Sequence, residues 1–216
     1  MIMRRFSARQ VSALPFLGLL LILSACSNPE KTGRFLIDPP STRAQVPNRL
    51  GTAELKDVSL PDYAADQEVM WQTEDGAVRS NPDNLWADNP KRGFTLALAR
   101  EISDISGATV IGEPWPLAEP PQRVLEVRVE KALAQADGIY RLSGRYFVSD
   151  EESGGTNHAR SFDISVPMSG DQPSAIAGAM SQAISQLAQQ IATLGGPGRT
   201  IATRASSDPF ALDPIF

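Results

Sequence analysis

The sequence predicts an α+β fold: one domain with an antiparallel sheet and two main helices packed on it. Three observations lead there. Asp75-Gly76 and Asp137-Gly138 each stand between apolar runs, a strong short-range hairpin signal. Leu125, Val127 and Val129 alternate with Glu126, Arg128 and Glu130, the period-two pattern of a half-buried strand. Segments opened by Pro90 and Pro173 instead carry apolar residues every three or four positions, which is helical spacing.

Taken in order, residues 1–25 have the layout of a secretory signal. Arg4, Arg5 and Arg9 precede an apolar run from Leu14 to Leu23, and small Ser24 and Ala25 come before Cys26. The run is too short to cross a bilayer, which takes roughly 20 apolar residues, and polar Ser27, Asn28, Glu30 and Lys31 follow at once. Leu23-Ser24-Ala25-Cys26 resembles the signals of bacterial lipoproteins. That resemblance implies that Cys26 receives diacylglycerol on its thiol, becomes the first residue of the mature chain and is then N-acylated. With Ser27 rather than an aspartate in second place, it also implies the outer membrane, on its periplasmic face. Each buried methylene contributes about 0.8 kcal/mol, so two or three acyl chains hold a protein that a single chain would release.

Cleavage after Ala25 would leave 191 residues, enough for one domain with a real core. It also removes three arginines, leaving 17 basic against 25 acidic residues and a net charge near −8. That balance argues against nucleic acid as a partner and against a basic membrane-surface patch. Cys26 is the only cysteine, so disulfides, thiolate catalysis and cysteine-held metals are excluded for the mature monomer.

Residues 26–50, with Pro29, Gly33, Pro39, Pro40 and Pro47, read as the lipid anchor and a flexible tether, interrupted at Phe35-Leu36-Ile37 by a candidate short strand. The domain is expected over 51–195. Ala53, Leu55, Val58 and Leu60 suggest a first strand that ends at Pro61-Asp62. Val69 to Thr73 and Ala77 to Arg79 flank Glu74-Asp75-Gly76 as a hairpin, and a loop with Trp86 is expected from Asn81 to Asp88. Asn89 as N-cap and Pro90 at the first position start a helix with Phe94, Leu98, Ile102 and Ile105 on its apolar face, and Gly107 stops it. A proline-rich connection from Glu113 to Pro121 follows. The main hairpin turns at Asp137-Gly138 and returns through Tyr140, Leu142, Tyr146 and Val148, as the expected centre of the sheet. Asp150 to His158 reads as an exposed loop, and Phe162, Ile164 and Val166 as another strand.

In the last helix Ile176, Met180, Ile184, Leu187, Ile191 and Leu194 make one apolar stripe, closed by Gly195-Gly196-Pro197. Its other side is uncharged Ser, Gln and Ala, so Ala183 and Ala188 are candidate contacts for another subunit. Residues 196–216 read as a disordered tail that finishes with Phe210, Leu212, Ile215 and Phe216; Phe210 and Phe216 are candidate partner contacts.

No catalytic constellation stands out. The single histidine, His158, lies in a hydrophilic stretch without an orienting partner, and no Gly-x-Ser-x-Gly elbow accompanies it. Asp150-Glu151-Glu152 is a cluster of acids of the kind found on solvated faces rather than a ligand set, so no metal or cofactor is expected. Trp71, Trp86 and Trp115 read as core residues or loop anchors. An acidic, lipid-anchored binding or scaffolding domain is what the residues alone describe.

Several segments, in this order, resemble the ABC-type transport auxiliary lipoproteins of the PqiC/YmbA-like family. They are Phe35-Leu36-Ile37, Val58-Ser59-Leu60-Pro61-Asp62-Tyr63, Val69 to Gln72, Trp86-Ala87-Asp88, the hairpin from Val124 to Ser149, and Ala179-Met180-Ser181 with Leu187-Ala188 and Ile191-Ala192. Asn89-Pro90-Lys91 and Tyr146 depart from the commoner family pattern, and the tail is extra. The resemblance implies a non-catalytic outer-membrane subunit that docks or receives for an MCE-domain substrate-binding protein and ABC transporter subunits moving lipid between two membranes. It also implies a ring-forming homo-oligomer, for which the uncharged back of the last helix would be a contact. The rival readings are a domain that itself holds an acyl chain, which needs an apolar cavity between sheet and helices, and an assembly lipoprotein that anchors another complex, which needs a filled core.

Overall fold

A computed structural model describes residues 31–40, 45–151 and 155–202. Contacts among residues divide the chain at Lys31, and all the elements below belong to the unit that begins at Thr32. Among the described residues there are nine strands and three helices. They run β1 (Gly33–Phe35), β2 (Thr52–Leu55), α1 (Asp62–Ala65), β3 (Glu68–Gln72), β4 (Val78–Trp86), α2 (Pro90–Ser106), β5 (Thr109–Gly112), β6 (Arg123–Ala134), β7 (Ile139–Asp150), β8 (Thr156–Pro167), α3 (Pro173–Ala192) and β9 (Gly198–Ala202).

The α+β class holds, with one sheet in the order β1-β4-β3-β6-β7-β8-β9 and β2 joining β5 to β6. Its centre is antiparallel as expected: β6 and β7 pair from Arg123↔Asp150 to Ala134↔Tyr140, and β7 and β8 from Ile139↔Pro167 to Val148↔His158. The flank is not antiparallel throughout, since β1 with β4, β2 with β5, β2 with β6 and β3 with β6 are parallel. The chain between β4 and β5 runs through α2, and β5 runs parallel to β2, β6 and β3 and opposite to β4.

Both predicted helices form, α2 with the predicted ends and α3 ending at Ala192, so that Leu194, expected on its stripe, lies beyond it. Asn89 Oδ1 accepts the Arg92 amide at 3.2 Å, and Pro90 sits at the first helical position. At the far end Gly107 adopts φ 68°, a left-handed cap in which its N–H reaches the Ser103 carbonyl. Helix α3 packs on β7 and β8, and α2 packs on α3 and β5. The face they cover carries Leu125, Val127, Leu142, Tyr146, Val148, Phe162, Ile164 and Val166, all buried, as period-two alternation requires.

Several expectations are corrected. The strand expected over 52–60 breaks after Leu55, because the Val58 amide turns aside to Thr95 Oγ1 at 3.0 Å, and the chain rejoins the sheet only at a Ser59↔Arg128 bridge. Trp86 ends a strand rather than sitting in a loop, and it is buried. The β5 strand, only four residues long, gave no alternation to read. His158 lies in β8 and not in a loop tip. The domain is wider than 51–195: β1 pairs with β4, Val46 donates its amide to Ile105 O at 3.0 Å, Leu50 is buried, and β9 pairs with β8 over residues expected to be disordered. Cys26, Phe210 and Phe216 lie outside the described residues.

Candidate functional site

Among the described residues, the middle of the space between sheet and helices is filled. Where Tyr63, Trp86, Tyr140, Ile176 and Met180 meet, a gap of about 10 Å³ remains, room for about one water. Burial there holds the Tyr140 phenol well above the usual tyrosine range. Tyr146 crosses the same core, with its hydroxyl donating to the Gly195 carbonyl just past α3, and burial pushes its pKa up to about 12.

The opposite face of the central sheet is open and carries the chemistry. Register sets Glu126, Phe147, Ala159 and Arg199 in one row and Arg128, Arg145 and Ser161 in the next. The Arg128 guanidinium lies 5.0 Å from the Phe147 ring centroid and is paired with Glu126 at 2.6 Å. Arg145 reaches Glu130 only at 3.9 Å, with both side chains about two-thirds exposed, so that contact contributes little. Arg199 makes no ion pair among the described residues. Arg145, Phe147, Arg199 and Ile201 line a groove of about 320 Å³. With Glu126 and Glu130 among them, the three arginines around the ring leave this face a small positive excess in a chain of net charge −5, which suits an acidic partner.

A second groove of about 320 Å³ lies between the β1 end of the chain and α2, lined by Phe35, Leu36, Ile37, Trp86, Leu96 and Arg100 among others. Leu36 and Leu96 are 67% and 49% exposed there. Its rim holds two ion pairs, Arg100 with Asp38 at 3.1 Å and Arg92 with Asp88. A third hollow, of about 300 Å³, is lined by Trp71, Ala134, Met168 and Ile176 near the turn between β6 and β7.

The residues singled out in the sequence fall differently. Ala183 and Ala188 are fully enclosed, so the expected subunit contact on them is corrected. The small residues of α3 let α2 approach closely, and the two helices are joined by Ser185 donating to buried Glu101 at 3.0 Å. The outward positions of α3 are Ser174, Gly178, Gln182 and Gln189. His158 is half-buried, with Nδ1 at 3.2 Å from Thr200 Oγ1; burial first, then Arg160 and Arg123, lowers its pKa. Asp150 pairs with Arg123 at 3.6 Å. Trp115 is a loop anchor whose indole N–H donates to Glu119 O at 2.7 Å. Sequence reasoning missed the basic face, although one signal for it was present: Phe147 sits out of phase among the polar positions of its strand, between inward Tyr146 and Val148.

Residues 35–192 match the family described as ABC-type transport auxiliary lipoprotein component. No curated protein matches the sequence. The crystal structure of an uncharacterized protein is similar over 71% of this chain and 98% of its own, at 22% identity and a TM-score of 0.58, which shows a shared fold. A protein from Xanthomonas campestris aligns over 74% of this chain and 90% of its own at 13% identity and a TM-score of 0.49. A PelC dodecamer from Paraburkholderia phytofirmans aligns over 68% and 94% at 16% identity and a TM-score of 0.35.

Proposed function

Since the chain belongs to the ABC-type transport auxiliary lipoprotein component family, we propose that it is a non-catalytic docking subunit of an intermembrane lipid transport system. Acyl chains on Cys26 would hold it in the outer membrane, facing the periplasm. Its partners would be an MCE-domain substrate-binding protein and the ABC transporter subunits. The observation that favours docking over carrying is the filled middle of the core, where the gap among Tyr63, Trp86, Tyr140 and Met180 is about 10 Å³ and the hollow by Trp71 lies at the edge, near the turn between β6 and β7. That gap has room for about one water, far less than an acyl chain needs. The open face with Arg128, Arg145, Phe147 and Arg199 supplies a surface for an acidic partner.

The test is recovery of the lipoprotein from detergent-solubilised envelopes, with mass spectrometry of proteins and lipids together. An MCE-domain protein and ABC subunits should come with it, and Arg145→Glu combined with Arg199→Glu should release them while the protein stays in the membrane fraction. Recovery of an unrelated envelope complex instead would make it an assembly lipoprotein. Stoichiometric phospholipid retained by the purified protein would overturn the docking reading.

A further inference from the structure

We propose that the groove between β1 and α2 is a membrane-contact face, seating Leu36 and Leu96 at the headgroup boundary of the bilayer that holds the anchor. The inference rests on the anchor at Cys26 and adds an orientation to it. From Cys26 to Gly33, where the sheet begins, there are seven residues, and an extended chain of that length spans at most about 24 Å. A folded unit of this size is about 40 Å across by the scaling of compact chains. The tether is therefore shorter than the domain it holds, and it leaves the β1 edge facing the bilayer. The far edge, β9, is six strand spacings away along the sheet order, or about 29 Å.

What lies on that near edge fits a bilayer surface. Leu36 and Leu96 are two of the few large apolar side chains left exposed, and they share one groove with Phe35 and Ile37. The rim is polar but balanced, because Arg100 is paired with Asp38 and Arg92 with Asp88. Arg34, two residues before Leu36 and exposed, adds a cation with no ion pair among the described residues, which suits anionic headgroups. An apolar pair inside a ring of neutralised and basic groups is the pattern of shallow interfacial insertion.

The lone cysteine makes the test specific, because a lipidated Cys26 has no free thiol. Leu36→Cys, Leu96→Cys and Ile201→Cys, all at exposed positions, would each be made in the full chain and labelled with an environment-sensitive maleimide. The proteins would then be reconstituted in phosphatidylethanolamine–phosphatidylglycerol vesicles with brominated acyl chains. Positions 36 and 96 should show blue-shifted emission and lose intensity to the bromines, while position 201 keeps the emission of a solvated probe. Flotation with the vesicles combined with unquenched emission at 36 and 96, or equal quenching at 201, overturns the proposal while the anchor stands. A wild-type protein that takes the label at Cys26 and does not float overturns the anchor and the orientation together.

Discussion

Replacing Ala188 distinguishes packing inside one chain from packing between chains. Its side chain is 0% exposed, on a helix whose neighbour α2 approaches over small residues. Ala188→Leu inserts three carbons into a filled site, which costs about 1–3 kcal/mol in overpacking. At about 2–4 °C per kcal/mol for a domain of this size, the melting temperature should fall by about 2–12 °C. Ala188→Arg adds a buried charge without a partner, a change of the class that costs about 3–5 kcal/mol. Against a total stability of about 5–15 kcal/mol, that variant should melt far below wild type, and should fail to fold if the stability lies at the low end. Gln182→Arg, on the same helix but exposed, should stay within about 0.5 kcal/mol of wild type. Circular dichroism melts with light-scattering mass on the three variants decide the matter. A folded Ala188→Arg protein with wild-type melting and reduced mass would refute the reasoning and return Ala188 to a subunit surface.

Other substitutions report on separate parts of the fold. Tyr146→Phe removes the hydroxyl that holds Gly195 past the end of α3 and should lower the urea midpoint by the equivalent of about 1–2 kcal/mol. Because burial raises the folded pKa of that phenol to about 12 from 10.0, its contribution is complete below pH 10 and is lost as pH rises toward 12. The phenylalanine variant should lack that alkaline component in urea titrations across the range. His158 has a lowered folded pKa, so the unfolded chain binds its proton first and stability should decline as pH falls below 6.5. His158→Gln should flatten that decline in midpoints measured above and below pH 6.5. Two glycines should respond with opposite signs. A Cβ on Gly144 would come within 2.2 Å of the Arg128 carbonyl and 2.9 Å of Phe162, so Gly144→Ala should cost about 1–3 kcal/mol. A Cβ on Gly178, exposed in mid-helix, meets nothing within 4 Å, so Gly178→Ala should stabilise by about 1 kcal/mol.

Much of the fold was legible because its central elements are long and strictly periodic. The hairpin of β6 and β7 and both long helices could be read, with the caps at Asn89 and Gly107, since each rests on local rules that the sequence satisfies by itself. The flanks were legible only in part: β1 was expected two residues late, at Phe35-Leu36-Ile37, and β5, with four residues, is too short for a period; both exist because β4 and β2 lie beside them. The all-exposed β9 has no apolar alternation, and backbone pairing with β8 holds it in place. The mistake over Ala183 and Ala188 has a similar source. Small uncharged residues look the same whether the helix that approaches them belongs to the same chain or to another, and the choice here is made by α2, nearly a hundred residues earlier in the sequence.

Both surfaces that carry the functional argument are places where a side chain breaks its local rule. Phe147 is aromatic at a polar position, and Leu36 is apolar at an exposed one. Neither adds to the core, and each leaves apolar area in water that folding alone does not require. The two lie at different parts of one sheet: β1 is an edge strand, while β7 stands four places along the order from it. A short tether at β1 would then leave the basic rows of β6, β7, β8 and β9 clear of the bilayer, where an acidic partner could reach them. Release of the partner by Arg145→Glu with Arg199→Glu, with membrane attachment intact, would separate the two surfaces. Loss of both partner and membrane in that variant would show that the arginines serve the bilayer instead, and would collapse the two surfaces into one.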